Sequence, residues 1–295
     1  MMRAAKVAML LSACLMTEIV WATGDIVSNA ARIARQQTTL DLYDVSGSKQ
    51  VRHTLPPALR EISGLARSLD ERVFTHGDES ATISELDVSN GTVRKNFWLG
   101  AVAEKGDFEG IAIAGDRFFL VTSQGVIYAA REGEANTAVR FDRYDSGAGA
   151  VCEIEGLAFV ARGDRLLLPC KNALRREFRN RLIVLAVPLR TMRVQNELAV
   201  SIPFAELPPA LRRGVQPTAI EVHPRTGNWI VLSSAPAALI ELDAQGKLVK
   251  TVALPKRHSQ AEGLTFTSDL TMLISDEGGK GLGTLTSYAA RRVSQ

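Results

Sequence analysis

Glu109-Gly110-Ile111-Ala112 is one copy of a short phrase that occurs five times in this sequence. Each copy has a small residue second and an aliphatic residue third: Ser63-Gly64-Leu65-Ala66, Glu109-Gly110-Ile111-Ala112, Glu155-Gly156-Leu157-Ala158, Thr218-Ala219-Ile220-Glu221 and Glu262-Gly263-Leu264-Thr265. Successive second members are 46, 46, 63 and 44 residues apart, which is the period of a four-stranded propeller blade. The repeat therefore predicts an all-β fold, a single five-bladed β-propeller.

The N-terminal part of the chain is predicted to close the ring. Only 32 residues follow Gly263, which is too few for four strands and their turns. The stretches Thr39–Tyr43 and Gln50–Leu55 precede the first phrase, and either could supply the outer strand of the fifth blade. Closure of this kind removes the exposed sheet edges that an open stack would leave.

The bulk composition is that of a globular protein. The chain has 295 residues, 46% of them apolar and 23% charged, with a formal net charge of +3. That charge is too small to indicate nucleic-acid binding. The basic stretch from Lys171 to Arg193 is interpreted as a solvated loop and blade edge rather than a polyanion patch. We expect a monomer.

The first residues are typical of an export signal. Met1–Lys6 is basic, and Val7–Met16 is an apolar core too short to span a bilayer. The pattern predicts a signal over residues 1–22, a linker over residues 23–36 and the propeller over residues 37–295, in the periplasm or on a cell-envelope membrane surface. Cleavage after Ala22 and lipidation at Cys14, which would tether the protein to a membrane, both remain open.

Cys152 and Cys170 form a candidate disulfide, because exported proteins fold in oxidising compartments. Both cysteines should emerge at the same rim of the third blade. A tight turn at Gly163-Asp164 would place Cys170 opposite about residue 157, which leaves Cys152 some residues from ideal register. A bond and two free buried thiols are both compatible with the sequence.

The residue before each small residue should point towards the propeller axis, because the innermost strands line the central channel. Those residues are Ser63, Glu109, Glu155, Thr218 and Glu262. Three glutamates at close range repel one another unless they are protonated, solvated or neutralised by a cation. Ca²⁺ suits the oxygen donors, whereas Zn²⁺ is disfavoured because no His or Cys accompanies them. A polar, water-filled channel without metal is the alternative.

A second set of residues follows the second strand of each blade and should reach the same mouth. Its ionisable members are Asp78, Lys171 and Asp276. The predicted metal ligands are therefore Ser63, Asp78, Glu109, Glu155, Glu262 and Asp276. His76 is the one histidine expected near the mouth. The sequence contains no nucleophile or phosphate-binding motif, so catalytic residues stay unassigned.

Several phrases, in order, resemble the SdiA-regulated (YjiK-like) proteins of bacteria. The stretches that carry the resemblance are Glu61–Ala66, Asp107–Ile111, Gln216–Gly227, Val231–Asp243 and Glu262–Leu285. The resemblance runs from about residue 55 to the C-terminus. It implies a five-bladed propeller with a calcium site, distantly similar to NHL-repeat proteins and to calcium-dependent propeller hydrolases. The first blade departs from the expected pattern at His76.

Two functions are compatible with these features. The first is an exported calcium-binding propeller of the cell envelope that binds or holds a small-molecule or protein ligand at its channel mouth. The second is a calcium-dependent hydrolase of lactones, esters or phosphoesters, with His76 or Asp276 as the base. The missing nucleophile favours the first.

Overall fold

The computed structural model describes residues 38–195 and 198–291. In this part of the chain, five sheets of four or five strands are present, and the all-β, five-bladed β-propeller is confirmed. The predicted export signal with Cys14, and the linker over residues 23–36, lie outside the described residues. The helices of the described ranges are short 3-10 turns, and none of them has the length and apolar character needed to cross a bilayer.

The strands fall into five blades in chain order. β1 (Val51–Thr54) precedes the first phrase, and blade 1 contains β2 (Ile62–Arg67), β3 (Val73–Gly77), β4 (Thr82–Asp87) and β5 (Thr92–Leu99). Blade 2 contains β6 (Phe108–Ala114), β7 (Arg117–Thr122), β8 (Val126–Arg131) and β10 (Phe141–Asp145), while the short β9 (Thr137–Val139) pairs in parallel with β5. Blade 3 contains β11 (Cys152–Ile154), β12 (Ala158–Val160), β13 (Arg165–Ala173), β14 (Arg181–Pro188) and β15 (Val200–Pro203). Blade 4 contains β16 (Gln216–Val222), β17 (Trp229–Ala235), β18 (Ala237–Leu242) and β19 (Leu248–Ala253), and blade 5 contains β20 (Ala261–Phe266), β21 (Met272–Asp276) and β22 (Thr284–Tyr288). The 3-10 turns are Thr39–Leu42, Pro57–Leu59, Ala148–Ala150, Arg176–Phe178, Phe204–Glu206 and Pro209–Leu211.

The blades bury both faces of their sheets against their neighbours. On β13, Leu166 and Leu168 pack into the core shared with blade 2, whereas Leu167 packs into the core shared with blade 4. Successive side chains of a strand point to opposite faces. The uninterrupted apolar run of this strand is therefore explained by stacking on two sides.

The N-terminal strand closes the ring. β1 pairs antiparallel with β22, with Val51 opposite Ser287, and so becomes the outermost strand of blade 5. Of the two candidate segments, Gln50–Leu55 contains this strand. The other, Thr39–Tyr43, begins as a 3-10 turn instead of a strand.

A buried carboxylate explains that difference. The Glu241 side chain accepts hydrogen bonds from the backbone amides of Thr39 at 2.8 Å and Leu40 at 3.0 Å. Adjacent amides that point at one carboxylate require a turn, because the amides of an extended strand alternate in direction. The Tyr43 hydroxyl then donates to the Leu270 carbonyl at 2.9 Å. The segment is thereby fixed across blades 4 and 5.

His223 is buried beneath this segment. Its Nε2 lies 3.0 Å from the Tyr43 hydroxyl, and its Nδ1 accepts a hydrogen bond from the Thr226 amide at 3.3 Å. Burial and the Arg225 guanidinium lower the pKa of His223 to about 4, against an opposing effect of Glu241. The folded protein therefore holds this imidazole neutral.

We expect His223 to make the protein less stable in mild acid. The unfolded chain binds a proton at the ordinary pKa of about 6.5, so the stability that the neutral ring contributes is present above that pH and declines as the pH falls towards 4. The loss reaches up to about 3 kcal/mol. Denaturant titrations at several pH values should show a shallower decline for His223→Gln than for the wild type, and identical slopes would contradict this.

The sulfur atoms of Cys152 and Cys170 form a disulfide, with a Cα–Cα distance of 5.7 Å. The register expected from the sequence was wrong by about three residues, because Cys170 lies opposite Ile154 rather than residue 157. The pairing shifts at Ile154, and the inner strand breaks between β11 and β12. That shift brings Cys152 within reach of its partner.

Reduction of this disulfide should lower stability. The two cysteines are 18 residues apart, and closing a loop of that size stabilises the folded state by about 3 kcal/mol in the chain-entropy model. Thermal melts with and without reductant measure the effect. The double variant Cys152→Ser/Cys170→Ser is the control, because it should melt early and no longer respond to reductant.

Candidate functional site

The residue before the small residue of each phrase is an extra residue in the strand pairing. In four blades the register skips one residue at that position: Ser63, Glu109, Thr218 and Glu262. In blade 3, residues 155–157 face residues 168–169, which again leaves one extra residue at the same place. A β-bulge re-aims the side chain of the residue it contains. The repeated phrase is therefore the sequence signature of five equivalent bulges. They lie on the inner strands β2, β6, β11–β12, β16 and β20, which we call the hub.

The glycines of the phrase allow neighbouring inner strands to touch through their backbones. A Cβ on Gly110 would lie 2.5 Å from the carbonyl carbon of Gly156, and one on Gly156 would lie 2.9 Å from the Cα of Ala219. A Cβ on Gly263 would lie 3.1 Å from the carbonyl carbon of Gly64. No side chain fits in these contacts. The inner strands of neighbouring blades are therefore in backbone contact beside the bulged residues.

Glu109 and Glu155 meet at the hub. The Glu155 charge acts on Glu109, and the Ser63 hydroxyl donates to Glu109 Oε2 at 3.2 Å. Glu155 is only 3% exposed, and Lys171 Nζ from β13 lies 2.7 Å from its Oε1. The positive charge of Lys171 also acts on Glu109 and Glu262. The Lys171 ammonium thus contacts one carboxylate, that of Glu155, and acts on the other two through its charge.

The pKa values reflect this shortage of positive charge. Burial, together with the charges of Glu155 and Asp107, raises the pKa of Glu109 to about 9. Burial, together with Glu277 and Glu155, raises the pKa of Glu262 to about 8. Burial also raises the pKa of Glu155, although Lys171 opposes the rise. Burial and the neighbouring negative charges therefore favour the protonated forms of Glu109 and Glu262.

Thr218 takes no part in this cluster. Its hydroxyl donates to the Ala261 carbonyl at 2.6 Å, which joins blade 4 to blade 5. The sequence pattern predicted that the Thr218 side chain points towards the axis. The bulge at Thr218 is present, but its hydroxyl hydrogen-bonds to blade 5.

Asp276 belongs to a buried polar chain at the end of β21. Its Oδ2 accepts from His258 Nδ1 at 2.8 Å, and His258 Nε2 lies 2.6 Å from the Tyr288 hydroxyl. Asp276 is 3% exposed, and its Oδ1 is buried without a hydrogen-bond partner among the described residues. No sequence pattern indicated His258, because it lies outside the repeated positions.

Asp78 lines a separate pocket in blade 1. The pocket has a volume of about 340 Å³ and also contains Glu61 and Glu79. Burial and the Glu61 charge raise the pKa of Asp78. Glu277 is influenced by Asp78, Glu61 and the hub residue Glu155. Glu277 therefore links the acidic residues of this pocket electrostatically to those of the hub.

His76 is fully buried. Its Nδ1 lies 2.9 Å from the Gly77 carbonyl, and its Nε2 has no hydrogen-bond partner among the described residues. A Cβ on Gly64 would lie 2.7 Å from this Nε2. Burial lowers the pKa of His76 to about 4. The ring packs into the hub wall instead of facing a substrate.

The comparisons with known proteins agree with the fold. A family model described as SdiA-regulated matches residues 35–280. The chain belongs to the SdiA-regulated family. No curated protein sequence matches this SdiA-regulated protein.

Solved propellers share its fold at low sequence identity. A glutaminyl cyclase from Myxococcus xanthus is similar with a TM-score of 0.55 and 13% identity, over 83% of this chain and 96% of that one. A luciferin-regenerating enzyme is similar with a TM-score of 0.50 and 11% identity, over 83% and 98%. A gluconolactonase from Xanthomonas campestris gives 0.47 and 14%, over 77% and 72%. The first two similarities show the fold alone.

The predicted calcium ligands do not form a preassembled cage. Within residues 38–195 and 198–291, no group of three or more His, Cys, Asp or Glu side chains is arranged so that it could hold a metal ion. Carboxylate and hydroxyl oxygens are suitable ligands for a hard cation. The Lys171 ammonium, however, already forms a salt bridge with Glu155. A metal ion bound by Glu155 would have to take its place.

The backbone contacts at the hub make Gly110 intolerant of a side chain. Gly110→Ala places a Cβ 2.5 Å from a neighbouring backbone atom, so we expect a loss of about 1–3 kcal/mol or more in unfolding free energy. Gly281→Ala is the control, since its nearest atom is 3.5 Å away. Equal effects in denaturant titrations would show that the inner strands are not in contact.

Proposed function

We propose that this SdiA-regulated protein is a cation-binding propeller of the cell envelope, which binds a small-molecule or protein ligand at its acidic mouth. The observation that carries the proposal is the contact of the Lys171 ammonium with the buried Glu155, together with the effect of its charge on Glu109 and Glu262. Carboxyl groups with strongly raised pKa values in a channel mouth are typical of functional sites. A positive ligand would relieve their mutual repulsion.

Calcium is the cation that these donors suit best. Ca²⁺ accepts carboxylate, hydroxyl and backbone oxygens together with water in flexible geometry. Glu109, Glu155, Glu262 and Ser63 would hold it, and its two charges would stabilise the ionised carboxylates. The unpartnered Oδ1 of Asp276 is a further oxygen that a cation or its water could satisfy.

A binding role is favoured over the hydrolase alternative. Both candidate bases are buried: His76 is 0% exposed and Asp276 is 3% exposed. Asp276 is also held by His258. A general base has to reach the proton that it removes, and neither residue is placed to do so.

The disulfide supports a location outside the cytoplasm, because such bonds persist in oxidising compartments. The apolar segment Val7–Met16 and the basic residues before it support export. We propose a monomer in the periplasm or on the envelope membrane surface. The intact mass of the mature protein decides between cleavage after Ala22 and lipidation at Cys14.

Calcium should raise the melting temperature of protein that has been stripped of metal. Glu155→Gln should abolish the rise, because it removes one of the proposed carboxylate ligands. Lys171→Met should strengthen calcium binding by about tenfold or more, since the competing ammonium is gone. The same variant should be less stable without calcium, because it leaves a buried carboxylate unpaired.

Glu177→Gln is the control, since Glu177 is an exposed residue of the blade 3 loop, and its response to calcium should match that of the wild type. An unchanged melting temperature in the wild type, with no metal retained on mass spectrometry, would refute calcium binding. Turnover of lactones or phosphoesters that disappears with chelator and in Glu155→Gln would favour the hydrolase instead.

A further inference from the structure

A second concave site lies beside the acidic hub, between blades 3 and 4. This cavity has a volume of about 520 Å³. Its walls come from the end of β13, the loop that follows it, and the segment Phe204–Gln216 before and at the start of β16. These are the connections that hold the extra residues between the third and fourth phrases. Volumes of about 300–1,000 Å³ are usual for small-molecule sites.

The cavity wall is basic. Four cationic side chains line it: Lys171, Arg179, Arg181 and Arg213. Among the described residues, no Asp or Glu lines it, and the acids of the two loops, Glu177 and Glu206, are not part of the wall. The cavity thus has the opposite charge from the neighbouring hub.

Two of the cations are fixed and two are free. Arg181 donates from Nε to the Ser201 hydroxyl at 2.7 Å and from its terminal nitrogen to the Ser201 carbonyl at 2.9 Å. Lys171 is held by Glu155. In residues 38–195 and 198–291, the side chains of Arg179 and Arg213 make no hydrogen bond or salt bridge. Their donors are available to a ligand.

The wall also provides apolar surface. Phe178 and Phe204 line the cavity beside the arginines. The Phe204 ring lies close to the backbone of Gly214, where a Cβ would be 3.4 Å from it. An aromatic or apolar group can therefore pack between the two loops while its charged end faces the arginines.

From this combination we infer that the cavity binds a small organic phosphate, a phosphomonoester with an aromatic or apolar group. Planar guanidinium groups bind phosphate oxygens in pairs, and several cations around one cavity suit a dianion better than a monocarboxylate. A nucleic acid would need an extended basic stripe rather than a single concave site. The site goes beyond the proposed cation binding and does not require a metal at the hub.

Calorimetric titration with phenyl phosphate, in buffer free of divalent metal, tests this inference on the mature protein. We expect saturable binding that weakens at high salt, with inorganic phosphate binding more weakly because it lacks the ring. Arg179→Gln and Arg213→Gln should each weaken phenyl phosphate binding by about tenfold, the usual effect of losing a charge-assisted hydrogen bond. Both residues are exposed, so the melting temperature should not change.

Arg162→Gln is the matched control. Arg162 is exposed in the turn between β12 and β13, away from the cavity wall, and its variant should bind like the wild type. The inference is overturned if phenyl phosphate shows no saturable binding up to millimolar concentration, if phenol binds equally well, or if Arg162→Gln loses as much affinity as the cavity variants. Binding to phosphatidylglycerol vesicles without binding of phenyl phosphate would assign the arginines to a membrane surface and also overturn it.

Discussion

The inner strands of this propeller touch backbone to backbone at the hub, and the rest of the site depends on that contact. Gly110 against Gly156, and Gly263 against Gly64, leave no room for a Cβ. The strands accommodate this approach with one extra residue each, and the bulge turns that residue towards the axis. In blades 2, 3 and 5 that residue is a glutamate, so the bulges place three carboxyl groups on the inner strands.

Charge balance at the hub is unusual for a folded interior. Burying an ionised carboxylate costs free energy unless a partner compensates it, and Lys171 is the one cation that contacts Glu155 in the described structure. The pKa values of Glu109 and Glu262 are raised because burial and nearby negative charges are not fully compensated. Apolar residues at these positions would stabilise the fold more than buried carboxyl groups do. Residues that cost stability in this way are concentrated at functional sites.

Lys171 also connects two regions of opposite charge. Its ammonium neutralises Glu155 at the hub, while its side chain lines the basic cavity between blades 3 and 4. The rigid ring carries the first region, and the two long connections around Phe178 and Phe204 carry the second. Loops that a rigid scaffold holds in place are the usual location of specificity.

The repeat in the sequence determined the number of blades, the position of the inner strands and the place of Glu109, Glu155 and Glu262 at their bulges, because each of these follows from spacing along one chain. Spacing could not show that Lys171 supplies the counter-charge, that His258 holds Asp276, or that Glu241 turns the N-terminal segment away from a strand. Each of those contacts joins residues from different strands, loops or blades. Which residues meet depends on the register shifts and on the close packing of the ring. Only the tertiary structure fixes such shifts, since one skipped residue redirects a side chain without changing the pattern of apolar and polar residues.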